Sequence, residues 1–331
     1  MVRAGAYTLS SVPDPIPAVL CFDVEPDEVD VAPEALPWLG FEQLLERVGS
    51  WRDGLAVATG HDVRFTWCLR MDPQIAESHG SATWVIDRYD REIDALRSVG
   101  DRIGLHPRAL RQVAGTWVAD HRDPAWVDHC IWASFDTYKS AFGEPCRVQR
   151  FGDRFMTGRA IRLAAELGAR YDLTIEPGAR TERSTGPGRP ETEFAADMRS
   201  APRHPYRPSP DDPLRPGDGS LWMIPLTSMD PAALLPSWRR AIARIRNPGG
   251  PWYRPSPLAA PWPAATFWPM VERELATLSS QYLAFAIRSD APLIPHHIQP
   301  IEEKLAALMT SPLAERLVFG TPEAVAPNFG S

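Results

Sequence analysis

Short apolar segments alternate with longer amphipathic segments through the first half of the chain. Five apolar segments predict buried strands, at 18–25, 63–72, 101–107, 146–154 and 169–178. Four segments between them carry apolar residues at helical spacing, at 41–59, 82–100, 123–143 and 156–168. Repeated strand–helix units of this length predict a parallel sheet covered by helices, which is an α/β fold.

Glycine and proline residues support the predicted ends of the helices and strands. Gly100 is placed to end the helix predicted at 82–100, and Pro107 ends the third strand. In the helix predicted at 123–143, either Ile131 or Trp132 is available for the buried face.

The pattern changes in the second half of the chain. Residues 177–220 are rich in Pro, Gly and Arg, and we expect a long loop or lid over the mouth of a barrel, or disorder. Further elements are predicted as strands at 221–228 and 282–290 and as helices at 238–247 and 265–278. Pro269 suits the first turn of the last of these helices. With no repeat and no linker, residues 1–17 are predicted as a tail and 18–326 as a single barrel-like domain.

Composition narrows the classes of function. The 331 residues are 44% hydrophobic and 23% charged, as in ordinary globular proteins. The formal net charge of −7 argues against a general binder of nucleic acid or of anionic membranes. No apolar run approaches the about 20 residues of a membrane span, and the N-terminus lacks the apolar core of a secretory signal. We therefore expect a cytoplasmic protein with a small-molecule partner.

The cysteines agree with that compartment. They are scattered, form no CxxC pair, and are interpreted as small core residues, at Cys21, Cys68, Cys130 and Cys146.

Polar residues follow the predicted strands at their carboxyl ends, where parallel α/β folds gather their chemistry. Asp23 and Glu25 end the first strand, His106 the third and Arg150 the fourth. Two further charged pairs lie in equivalent positions, Arg70 with Asp72 and Arg288 with Asp290. Either these pairs bind substrate hydroxyl, phosphate or carboxylate groups, or they form ion pairs across the barrel rim.

The order of these motifs resembles a known family. The chain reads FDVE after strand one, DRIGLHP at strand three, RFGDRF after strand four, and FGTPEAVA near its end. This order and spacing resembles the polysaccharide deacetylase (NodB-homology) family, in the variant whose first motif is D-x-E/D. The resemblance covers 18–176 well and 220–326 loosely.

That resemblance implies a distorted (β/α)7-type barrel, here with long Pro-rich loops, and a deacetylase site. Asp23 matches the family's catalytic base, and Glu25 its metal-binding acid, with Asp27 close enough to compete. His106 matches a histidine of the second motif, and Arg150 the arginine that orients the base. In the family a divalent metal, often zinc, polarises the amide carbonyl and activates water, and an N-acetyl group leaves as acetate.

The second motif departs from the family pattern, which supplies two histidines. After His106 this chain has Arg108 two residues on, which we also count among the candidate substrate-binding residues, and Leu110 four residues on. Glu25 and His106 alone are fewer ligands than the three or more that a catalytic metal site in a protein normally has. Three alternatives stay open: His121 or His129 supplies a ligand, a carboxylate does so, or Arg108 provides the positive charge without a metal. The candidate carboxylates are Asp27, Asp72 and Asp290.

The leading functional hypothesis is therefore hydrolysis of an amide C–N bond. Its substrate is expected to be a small N-acylated compound, such as an amino-sugar intermediate of a biosynthetic pathway. One alternative keeps the barrel but assigns it a metal-independent or non-hydrolytic reaction, such as cleavage of another C–N bond, isomerisation or cyclisation. Another is a non-catalytic protein that binds a ligand in the same pocket.

Overall fold

The computed structural model of the protein describes residues 14–27, 37–181, 196–232, 236–246, 253–278 and 281–326. Its strands are β1 (Ile16–Val24), β2 (Thr66–Leu69), β3 (Arg102–Leu105), β4 (Leu110–Val113), β5 (Thr116–Ala119), β6 (Val148–Gln149), β7 (Tyr171–Asp172), β8 (Trp222–Met223), β9 (Ser228–Met229), β10 (Arg254–Pro255), β11 (Leu283–Arg288) and β12 (Leu317–Phe319). Its α-helices are α1 (Leu39–Thr59), α2 (Pro73–His79), α3 (Trp84–Arg88), α4 (Asp90–Ser98), α5 (Pro124–Phe142), α6 (Gly158–Glu166), α7 (Ser237–Arg246), α8 (Ala264–Leu275), α9 (Pro295–Met309) and α10 (Pro322–Val325).

The principal sheet is parallel and curls into a distorted barrel. Its strands follow the order β11, β1, β2, β3, β6, β7, β8, and β12 pairs with the start of β1. Just beyond β8, the Thr227 N–H donates to the Ala284 carbonyl of β11 at 2.8 Å. The Ala284 N–H in turn donates to Thr227 Oγ1 at 3.0 Å. These bonds link the two ends of the sheet, so the predicted α/β barrel is confirmed.

Both faces of the sheet are buried, which explains why its strands read as nearly continuous apolar runs. Alternate residues of β1 point to opposite faces. Phe22 faces the helices, where its ring stacks on Trp67 with centroids 4.3 Å apart. Val19 and Cys21 belong to a separate apolar cluster that fills the barrel. Asp23, two residues after Cys21, therefore points to the barrel mouth.

All four cysteines are buried, as their interpretation as small core residues predicted, and none is in a disulfide. Cys21 Sγ and Cys68 Sγ lie 3.5 Å apart inside the barrel.

The helical region after β2 differs from the single helix predicted at 82–100. Two helices, α3 and α4, meet at Tyr89, whose backbone is not helical (φ −121°, ψ 37°). The Tyr89 ring is buried against Phe41, with centroids 5.1 Å apart, and this tertiary contact accompanies the break. An unpredicted helix, α2, precedes them. It is capped by Asp72, which accepts a hydrogen bond from the Gln74 N–H, and begins at Pro73.

The sequence pattern predicts no hairpin after His106, leaves the buried residue of α5 open between two candidates, and predicts the wrong position for Pro269. The segment after His106 forms an unpredicted hairpin of β4 and β5, whose turn residues Ala114 and Gly115 have φ of 51° and 81°. Ile131 is buried on α5, whereas Trp132 is 52% exposed. Pro269 lies inside α8, which begins five residues earlier at Ala264, and not in its first turn.

The Pro-rich segment 177–220 holds no helix or strand where the structure describes it, although residues 182–195 lie outside the described part. It is nevertheless packed, since Met198, Ala201 and Tyr206 are buried in the main core. At the N-terminus, β1 begins at Ile16, inside the predicted tail, of which 1–13 lie outside the described part. No helix in the described regions is long and apolar enough to cross a membrane.

Candidate active site

A cavity of about 790 Å³ opens at the carboxyl ends of the barrel strands. Six residues singled out from the sequence or its motifs line it: Asp23, Glu25, His106, Arg108, Arg150 and Arg288. The parallel sheet brings them together, because its strands end at one rim.

Asp23 is held by Arg150. The Asp23 carboxylate is buried, and Arg150 Nε donates to both of its oxygens at 3.0 Å. Arg150 also donates from Nη1 to the Leu173 carbonyl and from Nη2 to Glu176 Oε1, both at 2.8 Å. Burial lowers the pKa of Arg150, but the neighbouring carboxylates of Asp23 and Glu176 together raise it by more, so the net shift of the pKa is upward. Arg150 is thus a fixed cation that orients the Asp23 carboxylate.

His106 lies between the two acids of the first motif. Its Nδ1 is 3.6 Å from Asp23 Oδ1, and its Nε2 is 3.9 Å from Glu25 Oε2. The Nδ1 atom is buried and has no hydrogen-bond partner among the described residues. Burial lowers the pKa of His106, and this outweighs the raising effect of Asp23 and Glu25. The ring is therefore neutral at pH 7 and has one nitrogen available.

Glu25 is surrounded by guanidinium groups. Its Oε2 lies 3.0 Å from Arg108 Nη2 and 3.9 Å from Arg70 Nη1, and its Oε1 lies 3.4 Å from Arg288 Nε. Burial raises the pKa of Glu25, but Arg108, His106, Arg288 and Arg70 together lower it to about 2. The carboxylate is ionised, and both of its oxygens already face cations.

This arrangement bears on the metal that the family motifs imply. Arg108 has its guanidinium against Glu25, where a cation bound by Glu25 and His106 would also have to lie. In the described regions, no group of three or more His, Cys, Asp or Glu side chains is placed to hold a metal ion. The residues present do not fit a divalent cation at Glu25, because Arg108 already supplies the positive charge there.

The additional ligands considered from the sequence are engaged elsewhere. The Asp27 carboxylate accepts from the backbone N–H groups at the start of α1, at 2.8 and 2.9 Å. His121 Nε2 lies 3.9 Å from Asp153 Oδ2, and the His129 ring packs on Trp126.

The two charged pairs at strand ends form ion pairs. Arg70 is fully buried and donates to both oxygens of Asp72, with the Nη2 bond at 2.9 Å. Asp72 also accepts from the Arg108 N–H at 3.3 Å, so it positions Arg108 as well. Arg288 pairs with Asp290 at 2.7 Å, and its side chain is 52% exposed in the cavity wall. Substrate binding stays a prediction for Arg108 and Arg288; Arg70, Asp72 and Asp290 do not line this cavity.

Sequence reasoning missed several cavity residues. Glu176 follows β7 and pairs with Arg150, and its place at a strand end was a usable signal. Asp153 Oδ1 lies 3.3 Å from Arg108 Nη1. Asp153 and Arg154 have φ of 53° and 52°, a left-handed conformation that non-glycine residues rarely adopt. Both residues line the cavity.

No protein-family model and no curated protein matches the chain. Among solved structures, it is similar to a probable polysaccharide deacetylase from Pseudomonas aeruginosa PAO1, at 14% identity and a TM-score of 0.49 over 95% of this chain and 90% of that chain. It is also similar to the allantoinase Puue, at 13% identity and a TM-score of 0.49, over 96% and 94% of the two chains. A family 4 carbohydrate esterase from Streptomyces lividans, in complex with acetate, matches at 11% identity and a TM-score of 0.38, over 92% of each chain.

Proposed function

We propose that this protein hydrolyses the amide bond of a small N-acylated compound. Asp23 is the general base, and Arg108 provides the positive charge that faces the carbonyl oxygen. The observation that carries the proposal is the buried Asp23 carboxylate at the barrel mouth, held through both oxygens by Arg150 beside the unpartnered Nδ1 of His106. A buried, oriented carboxylate in a cavity is suited to moving protons.

The first step is attack of water on the amide carbonyl carbon. Asp23 accepts a proton from the water as the new C–O bond forms, and the carbonyl oxygen becomes an oxyanion. Arg150 keeps the Asp23 carboxylate oriented toward the cavity, because its guanidinium is itself fixed by hydrogen bonds to the Leu173 carbonyl and the Glu176 carboxylate. Fixing the base in this way removes much of the orientational cost of proton transfer.

Arg108 is placed to stabilise the oxyanion. Its Nη groups face Glu25 and Asp153, while its Nε is buried with no hydrogen-bond partner in the described regions. Burial lowers the pKa of Arg108, but four neighbouring carboxylates together raise it by more, so the guanidinium stays charged. These are Asp153, Glu25, Asp72 and Asp23. A fixed cation in a partly dehydrated cavity stabilises developing negative charge strongly.

His106 completes the proton path. With its Nδ1 3.6 Å from Asp23, the neutral ring is close enough to relay the proton from Asp23 to the amine nitrogen. The C–N bond then breaks, and the products are one carboxylic acid and one amine, which account for the amide and the water consumed.

A second, smaller cavity supplies a place for the acyl group. It measures about 280 Å³ and shares four charged residues with the larger cavity, Asp23, Arg150, Glu176 and Arg288, while the rest of its lining is mostly apolar. Its apolar lining includes Leu226, Ala284, Ala286, Ile287 and Ile301. Since Asp23 lies where the two cavities meet, the scissile carbonyl belongs at that junction, with the acyl chain in the small cavity and the amine part in the large one.

Amine release from N-acetyl and N-butanoyl amines, including N-acetylglucosamine, tests this function. The wild-type protein is expected to release amine, and Asp23→Asn to lose at least about 100-fold in kcat. Asp94→Asn is the matched control, because Asp94 is an exposed residue of α4. Equal rates for wild type and Asp23→Asn would refute the role of Asp23.

A further inference from the structure

We infer that the amine part of the substrate is an anion, and that Arg254 binds its carboxylate or phosphate group. This rests on the proposed function only in describing the ligand as a substrate. The binding site itself stands on the charges and contacts of the large cavity.

The large cavity is positive in an acidic protein. The chain carries a formal net charge of −7, yet the cavity lining holds six arginines against four carboxylates. The arginines are Arg108, Arg150, Arg154, Arg180, Arg254 and Arg288, and the acids are Asp23, Glu25, Asp153 and Glu176. A concave surface with an excess of one charge concentrates ligands of the opposite charge.

The four carboxylates are already committed to arginines. Asp23 and Glu176 accept from Arg150, and Glu25 and Asp153 face Arg108. Each acid is within 3.3 Å of its arginine partner. Together with the neutral His106, these groups form the catalytic end of the cavity, and in the described regions none of the four acids pairs with Arg254.

Arg254 carries a buried side-chain nitrogen that has no partner among the described residues. Its Nη1 is buried and makes no hydrogen bond, and no ion pair joins it to an acid in the described part of the chain. A buried guanidinium N–H is normally satisfied, and its planar fork matches the two oxygens of a carboxylate or phosphate. A carboxylate or phosphate group bound beside Arg254 would satisfy this N–H group.

The strand that carries Arg254 is held in place. β10 pairs with β9 through Arg254 and Met229. Beside it, Gly178 has a φ of 87° and approaches the Tyr253 backbone too closely for a β-carbon. The Tyr253 ring packs on the Arg203 guanidinium at 4.6 Å. Pro255, the next residue, lines both cavities, as Asp23 does. Arg254 is thus a preorganised group on the same cavity as the catalytic base.

Matched pairs of probes that differ only in charge test the inference. One pair is N-acetylglycine and N-acetylglycinamide, and the other is N-acetylglucosamine 6-phosphate and N-acetylglucosamine. Calorimetric binding is measured for each with wild type, Arg254→Gln, Arg254→Lys and the exposed control Arg273→Gln. We expect one anionic probe to bind at least about tenfold more tightly than its neutral partner, and the identity of that probe distinguishes carboxylate from phosphate.

The variants give the decisive comparison. Arg254→Gln is expected to abolish the preference for the anion, Arg254→Lys to retain part of it, and Arg273→Gln to leave it unchanged. Equal binding of charged and neutral probes to the wild type, or an unchanged preference in Arg254→Gln that still melts as the wild type does, would overturn the inference. Preferential binding of an anionic probe without hydrolysis of any probe would refute the proposed function alone. Equal kcat/KM values for the charged and the neutral probe of each pair would refute the anion site alone.

Discussion

The Nε atom of Arg150 lies 3.0 Å from each carboxylate oxygen of Asp23, although 127 residues separate them in the chain. The contact exists because β1 and β6 are parallel strands of one barrel and end at the same rim. It makes Arg150 a positioning residue for the base.

Arg150→Lys keeps the charge but cannot hydrogen-bond to Asp23, the Leu173 carbonyl and Glu176 at once, because a lysine ammonium is a single point charge without the planar fork of a guanidinium. We expect kcat to fall by roughly 10- to 100-fold with KM little changed, and Arg150→Gln to lose more. Steady-state kinetics on the best substrate measures both constants, with Arg91→Lys as an exposed control. A change confined to KM would instead place Arg150 in substrate binding.

Gly152 holds the turn against which Arg108 packs. A β-carbon there would overlap the side-chain carbons of Arg108. Gly152→Ala is therefore expected to shift the guanidinium and to lower kcat by roughly 10- to 100-fold without removing any charge. Gly49→Ala in α1, where a β-carbon meets nothing within 4 Å, is the control and should keep full activity. An active Gly152→Ala enzyme would argue against a precise role for Arg108.

Asp172 predicts a pH dependence of stability. It is fully buried in β7, and burial raises its pKa from 3.8 to about 6 against the lowering effect of bonds from Thr174 and Gln149. The folded protein therefore holds this proton more tightly than the unfolded chain, and this contribution to the free energy of unfolding is lost as pH rises from about 4 to 6. Asp172→Asn cannot ionise, so we expect its stability relative to wild type to rise by about 2 kcal/mol between pH 4 and pH 7.

Urea unfolding at the two pH values measures that difference. The exposed Asp94→Asn variant should show no comparable change. A constant difference for Asp172→Asn would mean that the buried carboxyl titrates alike in the folded and unfolded states.

The small apolar cavity predicts acyl-chain selectivity. Ala286 lines it from β11. Ala286→Leu fills part of this space, so kcat/KM for an N-hexanoyl substrate should fall at least about tenfold more than that for its N-acetyl analogue. Ala95→Leu, on the exposed face of α4, serves as the control. If both substrates lose equally, the acyl group lies elsewhere.

The sequence was enough to bring Asp23, His106 and Arg150 together. Each follows a short apolar run, and the repeated strand–helix pattern implies that such runs end at one rim. Arg108 as the positive charge of the site is one of three alternatives left open by the sequence, and its Nη2 lies 3.0 Å from Glu25 Oε2.

Other parts of the site depend on contacts that a linear pattern does not encode. The hairpin of β4 and β5 depends on a turn at Ala114 and Gly115 that the apolar spacing does not show. Arg254 comes from a Pro-rich segment with no periodicity, and the pairing of β10 with β9 and the contact of Tyr253 with Gly178 hold it on the cavity. Asp27 resembles a ligand in sequence, yet the start of α1 uses it as a hydrogen-bond acceptor.

Turnover by metal-depleted protein tests the central claim most directly. The measurement is amine release by chelator-treated wild type and Arg108→Gln, each with and without added zinc, alongside the bound metal content. We predict that the wild type keeps its turnover without metal, and that Arg108→Gln loses at least about 100-fold, which zinc does not restore. Wild-type turnover that disappears on chelation and returns with zinc would contradict the assignment of Arg108 as the cation of this site.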